Sequence, residues 1–318
     1  MSVTGLANTD VKVSVAMITY NHENFIAQAI ESVLTQQTNF AIELVIGEDC
    51  STDGTRAIVA DYARKYPEQI RPIFHEHNVG ANANFVAVLK SCQGQYLALL
   101  EGDDFWTSLH KLQIQVNALD ENPDWSICTH RVNISFDEIT HRGPNFDPKH
   151  ISTLDDLVFA PFVFTSAAIY RQIPVEQHPD WVHQVEIGDY SLSLFYAQNG
   201  KIGFIDEVMS TYRQHNGGFW SQRESLAQRT ALARDLRFIA RHMKWCHRRR
   251  LESQAAQALL KNLKAHLTNG SLPEARKVTM EILSMIYCLP DLPWSRFVKR
   301  GLMAYFPIIF PNVHRKVT

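Results

Sequence analysis

Short apolar, β-branched runs alternate with amphipathic stretches over the first ~130 residues, and that alternation admits few folds. Val13-Ser14-Val15-Ala16-Met17-Ile18 reads as a buried strand. Phe25, Ile26, Ala29, Ile30, Val33 and Leu34 then recur at helical spacing, with Asn24 positioned as a cap. Ile42–Ile46 is the second strand, and Ser51-Thr52-Asp53-Gly54-Thr55 offers cap residues before a helix through Ile58, Val59 and Tyr62. The pattern predicts a third strand over Ile70–Phe74, a helix over Ala83–Leu89 and a fourth strand over Tyr96–Leu100. A helix over Leu112–Leu119 and a strand from Trp125 to Cys128 follow. The expected class is α/β, a Rossmann-like, mostly parallel sheet with helices on both faces.

Residues 131–160 are turn-rich (Arg142-Gly143-Pro144-Asn145, Asp147-Pro148) and read as a long excursion over a site. Phe162–Tyr170 reads as a strand, Asp189–Ala197 as a helix and Ile202–Tyr212 as a strand. From Glu224 to Leu263 there are almost no breakers, which predicts one long helix. Gly270 and Pro273 punctuate it, and Glu274–Ile286 resumes. These features divide the chain into a catalytic-type domain over 1–220 and a helical C-terminal region over 221–318.

The 318 residues suffice for a large core plus an appendage. A net charge of −2 gives no push toward nucleic acid. Cys50, Cys92, Cys128, Cys246 and Cys288 are scattered and odd in number, so neither a zinc site nor a disulfide framework is expected. Reduced thiols and a polar N-terminus without a signal-peptide core lead to the expectation of a cytoplasmic chain. No apolar run approaches the ~20 residues that span a bilayer.

Polar clusters follow the strands instead of interrupting them. They are Thr19-Tyr20-Asn21-His22-Glu23, Glu48 to Thr55, His75 to Asn82, and Glu101-Gly102-Asp103-Asp104. Loops at the carboxyl ends of parallel strands converge on one crevice. The last cluster gathers three carboxylates, which repel one another unless a cation neutralises them. Oxygen-rich sites suit Mg²⁺ or Mn²⁺, and such an ion naturally grips a diphosphate. The chemistry indicated is a metal- and nucleotide-dependent transferase.

The ordered series Ile18-Thr19-Tyr20-Asn21, Gln36, Glu43 to Thr55 and Glu101-Gly102-Asp103-Asp104 resembles glycosyltransferase family 2, over residues 10–220. The resemblance implies a GT-A fold and inverting transfer from a nucleotide-sugar donor, a UDP-sugar first. It implies that Tyr20 and Asp49 contact the nucleobase, with Glu23 in the same pocket and Asn82 near the nucleotide. Asp103 becomes the direct ligand of Mg²⁺ or Mn²⁺. The family usually opens this motif with Asp; here Glu101 stands, and its longer side chain reaches a ribose hydroxyl or metal-bound water. Asp104 is read as a helix cap or as orienting Asp103.

Inversion needs a base for the acceptor hydroxyl. The family's base opens a helix, which maps onto Asp189 in Glu186-Ile187-Gly188-Asp189. Thr165, Ser166 and Trp181 are candidates to line the acceptor pocket. The family's closing segment maps onto Tyr212 to Gly218, with His215 completing the metal shell, Arg213 meeting phosphate and Gly217-Gly218 forming a flap. The implied acceptor is a saccharide or lipid-linked saccharide in surface-polysaccharide biosynthesis. Basic residues at 237–250 are read as a solvated helix face, with an anionic membrane surface or a lipid-diphosphate acceptor as the alternative. Basic residues around the broken apolar segment 302–310 suit peripheral attachment at the inner face of the cell membrane, packing on the catalytic domain or an oligomer contact. Two rival functions stand beside this one. A nucleotidyltransferase acting on sugar phosphates would carry a Gly-rich basic loop after the first strand, which Thr19–Glu23 lacks. A non-catalytic nucleotide-sugar-binding protein would not need Asp189.

Overall fold

The computed structural model describes residues 11–136, 139–215 and 225–285. The first half runs β1 (Val11–Thr19), α1 (Ile26–Leu34), β2 (Ala41–Glu48), α2 (Thr55–Lys65), β3 (Ile70–Phe74), α3 (Ala81–Ser91) and β4 (Tyr96–Leu99). Next come β5 (Phe105–Trp106), α4 (Lys111–Glu121), β6 (Trp125–Phe136), β7 (Ile139–Gly143), β8 (Ile151–Ser152) and α5 (Leu154–Phe159). Then follow β9 (Ile169–Arg171), α6 (Gly188–Ala197), β10 (Lys201–Gln214), α7 (Leu226–Ala240), α8 (Trp245–Thr268) and α9 (Leu272–Leu283).

The strands form one sheet in the order β3-β2-β1-β4-β9-β6-β10-β5, with β7 beside β6 and β8 beside β10. β1 pairs in parallel with both β2 and β4, and β2 in parallel with β3. The chain therefore builds outward from β1 to β3, then returns to the other side of β1 as β4. That reversal makes a crevice beyond the carboxyl ends of β1 and β4, where open α/β sheets bind ligands. Val13, Val15 and Met17 of β1 are fully buried with Ile26, Ala29, Ile30 and Val33 of α1. Each Val, Ile and Met side chain among them contributes roughly 1.5–3 kcal/mol by leaving water.

Contacts divide the described residues into two units, 11–184 with 188–215, and 185–187 with 225–285. The sheet belongs to the first. The boundary expected near residue 220 lies outside the described residues, as do Gly217-Gly218 and the segment 302–310. Within the helical unit, Asn262 of α8 accepts from Arg229 Nε at 2.6 Å and donates to Thr230 Oγ1 at 2.9 Å, fastening α8 to α7. Among the described residues no helix is long and apolar enough to cross a membrane.

Several expectations need correction. The single helix expected over 224–263 is broken between Ala240 and Trp245. Arg241, His242 and Met243 donate to carbonyls three residues back, tightening the end of α7, and α8 then packs back on α7. Packing overrides uninterrupted helix propensity there. The expected strand over Phe162–Tyr170 is a 3-10 turn, Thr165–Ala167, followed by the short β9. Trp106 Nε1 donates to Ser166 O, and Gln115 Nε2 donates to Ala167 O, both at 2.9 Å, so these carbonyls leave the ladder. The excursion over 131–160 carries the rest of β6, its hairpin partner β7, and α5 with a Thr153–Asp156 capping box. Asn24 does not cap α1; the His22 carbonyl closes the first turn by accepting from Phe25 N and Ile26 N at 2.9 Å.

Gly47 shows how closely α3 sits on β2. A Cβ there would stand 2.0 Å from Asn84 Oδ1 and 2.6 Å from Val88 Cγ2. Gly47→Ala should cost about 1–3 kcal/mol in urea unfolding; an unchanged midpoint would contradict this packing.

Candidate active site

The loops after β1 and β2 lock together through local hydrogen-bond chemistry. Asn21 adopts the left-handed conformation (φ 56°) that Asn tolerates. Its N–H donates to Ser51 Oγ at 3.0 Å, and its Oδ1 accepts from Thr52 N at 2.8 Å. His22 N donates to Thr55 Oγ1 at 2.8 Å. Glu23 Oε2 accepts from Gly54 N at 2.8 Å, while Asp53 Oδ2 accepts from Glu23 N at 3.1 Å. The Glu23 carboxylate is thereby engaged by the first turn of α2. Cys50 also takes a left-handed backbone (φ 57°), a strain on the order of 1 kcal/mol beside Asp49.

Asp49 is buried, and its two oxygens accept from Val79 N at 2.7 Å and Gly80 N at 3.0 Å. It thus shapes the third polar loop, while each oxygen keeps a second lone pair for a ligand donor. Tyr20, on the loop after β1, is exposed, as a stacking surface would be. Asn84 Nδ2 donates to Gly47 O at 2.9 Å and Asn84 Oδ1 lies 3.0 Å from His75 Nε2, holding α3 and the loop before it.

The acidic turn closes against β1. Gly102 N donates to Ile18 O at 3.0 Å. A Cβ on Gly102 would stand 2.6 Å from Thr19 Oγ1 and 3.0 Å from His22 Nδ1, so only glycine permits this approach. Asp103 Oδ2 lies 3.0 Å from His215 Nε2 and 3.8 Å from His22 Nε2. One donor atom from each of His22, Asp103 and His215 falls within 4.8 Å of the others.

The end of β10 braces this turn. Arg213 N donates to Asp104 Oδ1 at 2.8 Å, and Arg213 Nη1 to Asp103 O at 2.6 Å. Its guanidinium also bonds Gln28 and lies 4.2 Å over the Phe105 ring. Asp104 therefore latches the turn to β10; it does not cap α4, whose N-cap is His110. Arg213 is committed to the acidic turn in this state, and phosphate contact would use its remaining donor capacity.

Asp189 opens α6 and stands near the same acids. Its Oδ2 accepts from Thr165 Oγ1 at 3.1 Å, and its Oδ1 from Tyr190 N at 2.7 Å. Burial holds its carboxyl above the ordinary range, and those two donors oppose the rise. Asn82 reaches this corner too, its Oδ1 being 3.5 Å from where a Cβ on Gly188 would lie.

The electrostatics follow from crowding. Glu101 is pushed up to about 8, by burial first and then by the charges of Asp103 and Asp189. Burial likewise holds Asp104 well above the usual carboxylate range, helped by Asp103 and Glu101. For Asp103, burial acts upward but loses to the His215 hydrogen bond and the imidazole charges, which hold it low. Burial pulls His22 below its ordinary value, toward the neutral, metal-binding form. Adjacent donors around an octahedral ion lie about 3 Å apart. Two imidazoles and a low-lying carboxylate at these separations fit a divalent ion.

Glu101, Asp103, Arg213, His215 and Asp189 thus gather at one corner, with Asn82 at its edge. Tyr20, Glu23 and Asp49 lie on the neighbouring interlocked loops, joined to that corner through His22. Trp181 is buried, as core packing would have it. Sequence reasoning gave no role to His22 or Gln28. His22 was visible as a member of the cluster after the first strand; Gln28 sits inside an amphipathic helix and carried no signal.

The raised Glu101 has a stability consequence. Between its ordinary value of 4.5 and about 8, the unfolded chain has released a proton that the folded protein still holds. Rising pH therefore favours unfolding through that window. In metal-free urea titrations, the stability of Glu101→Gln relative to the parent should grow by more than about 1 kcal/mol from about pH 5 to about pH 8. A gap that stays constant would contradict the placement.

Comparison with known proteins follows the same lines. The model described as Glycosyl transferase family 2 matches residues 14–178. The putative glycosyltransferase EpsE of Bacillus subtilis is 34% identical over 221 residues, covering 67% of this chain and 76% of EpsE. Uncharacterised mycobacterial proteins match at 36% identity over 210 residues, and the matched region spans 60% of their length. The solved structure of S. aureus TarS 1-349 with UDP-GlcNAc superposes with a TM-score of 0.60 at 16% identity, covering 92% of this chain and 90% of that one. The mannosyltransferase PcManGT of Pyrobaculum calidifontis, solved with GDP-Man and Mn²⁺, gives 0.57 at 14% identity, covering 93% and 87%. The sheet, its flanking helices and these matches make the fold GT-A, and the chain belongs to glycosyltransferase family 2.

Proposed function

We propose that this protein is a metal-dependent inverting glycosyltransferase. It moves a sugar from a nucleotide-sugar, a UDP-sugar first, to a saccharide or lipid-linked saccharide acceptor in surface-polysaccharide biosynthesis. The observation that carries this reading is the convergence of Asp103 and His215 with Asp189, through Glu101, beyond the carboxyl ends of β1 and β4. The UDP-GlcNAc held by TarS supports a uridine donor, and the Mn²⁺ beside GDP-Man in PcManGT supports a divalent ion. The naming of a relative, TuaG of Bacillus subtilis, for teichuronic acid biosynthesis supports a polysaccharide setting.

In this reading Asp189 takes the acceptor hydroxyl's proton while the oxygen attacks the anomeric carbon. Burial makes its carboxylate the stronger base, and Thr165 with Tyr190 N fixes which lone pairs remain for that proton. Asp103 and His215 would hold a divalent ion, which would supply positive charge against the departing diphosphate. Arg213 holds the turn that carries Asp103. Tyr20 and Asp49 meet the nucleobase, Asn82 and Glu101 the nucleotide's sugar side, and Glu23 keeps the nucleobase loop shut.

The test combines a donor panel with one substitution. With the preferred donor and Mn²⁺, Asp189→Asn should lose transfer by about 10²–10⁴-fold. Calorimetry should find its UDP affinity unchanged. Near-normal turnover in the variant would remove Asp189 as the base, and a parent that binds no UDP in the presence of Mn²⁺ would remove the donor class.

A further inference from the structure

We propose that His22 is a third protein donor to the metal. The site becomes two imidazoles and one carboxylate, which selects Mn²⁺ over Mg²⁺. This rests on the metal-dependent reading above but concerns a residue outside it. Three observations converge on His22.

The first is distance. Its Nε2 faces Asp103 Oδ2 at 3.8 Å, His215 Nε2 lies 3.0 Å from the same oxygen, and one donor atom from each of the three residues falls within 4.8 Å of the others. An ion drawing its ligands to about 3 Å separations needs only a small closure of the His22 ring. The second is orientation. His22 Nδ1 lies 3.2 Å from Thr19 Oγ1. A ligating imidazole commonly donates its other ring N–H to an oxygen, fixing the tautomer. A proton on Nδ1 donated to Thr19 leaves the Nε2 lone pair turned to Asp103.

The third is local construction. His22 is pinned at its N–H by Thr55 Oγ1, at its carbonyl by Phe25 N and Ile26 N, and against its ring by Gly102. That ring is immobilised against the acidic turn although it belongs to the loop of another strand. Solvation of a surface histidine needs none of this. Pure oxygen sites suit Mg²⁺, while imidazole suits later first-row ions and is tolerated by Mn²⁺. Two imidazoles therefore shift preference toward Mn²⁺. Because His22 N–H is held by α2's first residue, ion binding also braces the loops that carry Tyr20 and Asp49.

The test is spectroscopic and uses the full chain with Mn²⁺, with and without UDP. In protein labelled with ¹⁵N-histidine, electron-nuclear double resonance on the bound Mn²⁺ should resolve two directly coordinated imidazole nitrogens. His22→Asn should leave one, weaken Mn²⁺ by at least about tenfold, and change Mg²⁺ affinity much less. One coordinated nitrogen in the parent overturns the proposal without any variant, and leaves the transferase reading intact. Unchanged Mn²⁺-over-Mg²⁺ preference in a folded His22→Asn protein also overturns it. Failure of the parent to bind Mn²⁺ even with UDP overturns both this proposal and the metal-dependent reading.

Discussion

Desolvation of clustered carboxylates governs the chemistry of this protein. In the corner where they gather, the charges of Asp103 and Asp189 add to burial at Glu101, and those of Asp103 and Glu101 add to burial at Asp104. Burial alone would drive every one of them neutral. The structure resolves the conflict unequally. Asp103 keeps its charge through two imidazoles, Asp104 gives its oxygen to Arg213 N, and Glu101 retains its proton over much of the neutral range. Such a crevice suits a divalent cation, the ion on which the proposed transfer depends.

The sheet makes such crowding tolerable by bringing the acids from separate elements. Asp103 follows β4, His22 follows β1, His215 follows β10, and Asp189 opens α6. Partners from other elements hold them: Thr55 of α2 holds His22, Arg213 and His215 at the end of β10 hold the Asp103 turn, and Thr165 holds Asp189. Gly102 and Gly47 mark where backbone and helix approach too closely for any side chain. Trp106 and Gln115 fix the 3-10 turn that positions Thr165, and Thr165 holds Asp189. The apolar core beneath β1 and α1 supplies the rigidity on which these contacts depend.

Most of the sheet was legible in the sequence because its strands are short, β-branched and separated by amphipathic helices. β3 falls on Ile70–Phe74, as expected. The acidic turn was legible because three carboxylates after an apolar run have few structural uses. Features set by distant partners were not legible. Thr165–Ala167 looks like strand, and only the indole of Trp106 and the amide of Gln115 pull it out of the ladder. The break at 241–244 contains neither Gly nor Pro; it exists because α8 folds back on α7. Asp49 reads as a ligand contact, whereas its bonds to Val79 N and Gly80 N also make it the organiser of a loop. His22 was hidden among polar neighbours because metal-site membership is a fact of three dimensions.

The central claim is that His22, Asp103 and His215 hold a divalent ion beneath a nucleotide diphosphate while Asp189 faces the transferred sugar. Crystals grown with Mn²⁺ and a non-hydrolysable UDP-sugar, measured at the manganese absorption edge, test it most directly. The account predicts one anomalous peak within coordination distance of all three side chains, bridging to the diphosphate, with the anomeric carbon turned toward Asp189. A peak elsewhere, or a diphosphate bound away from the Glu101–Asp104 turn, would contradict it.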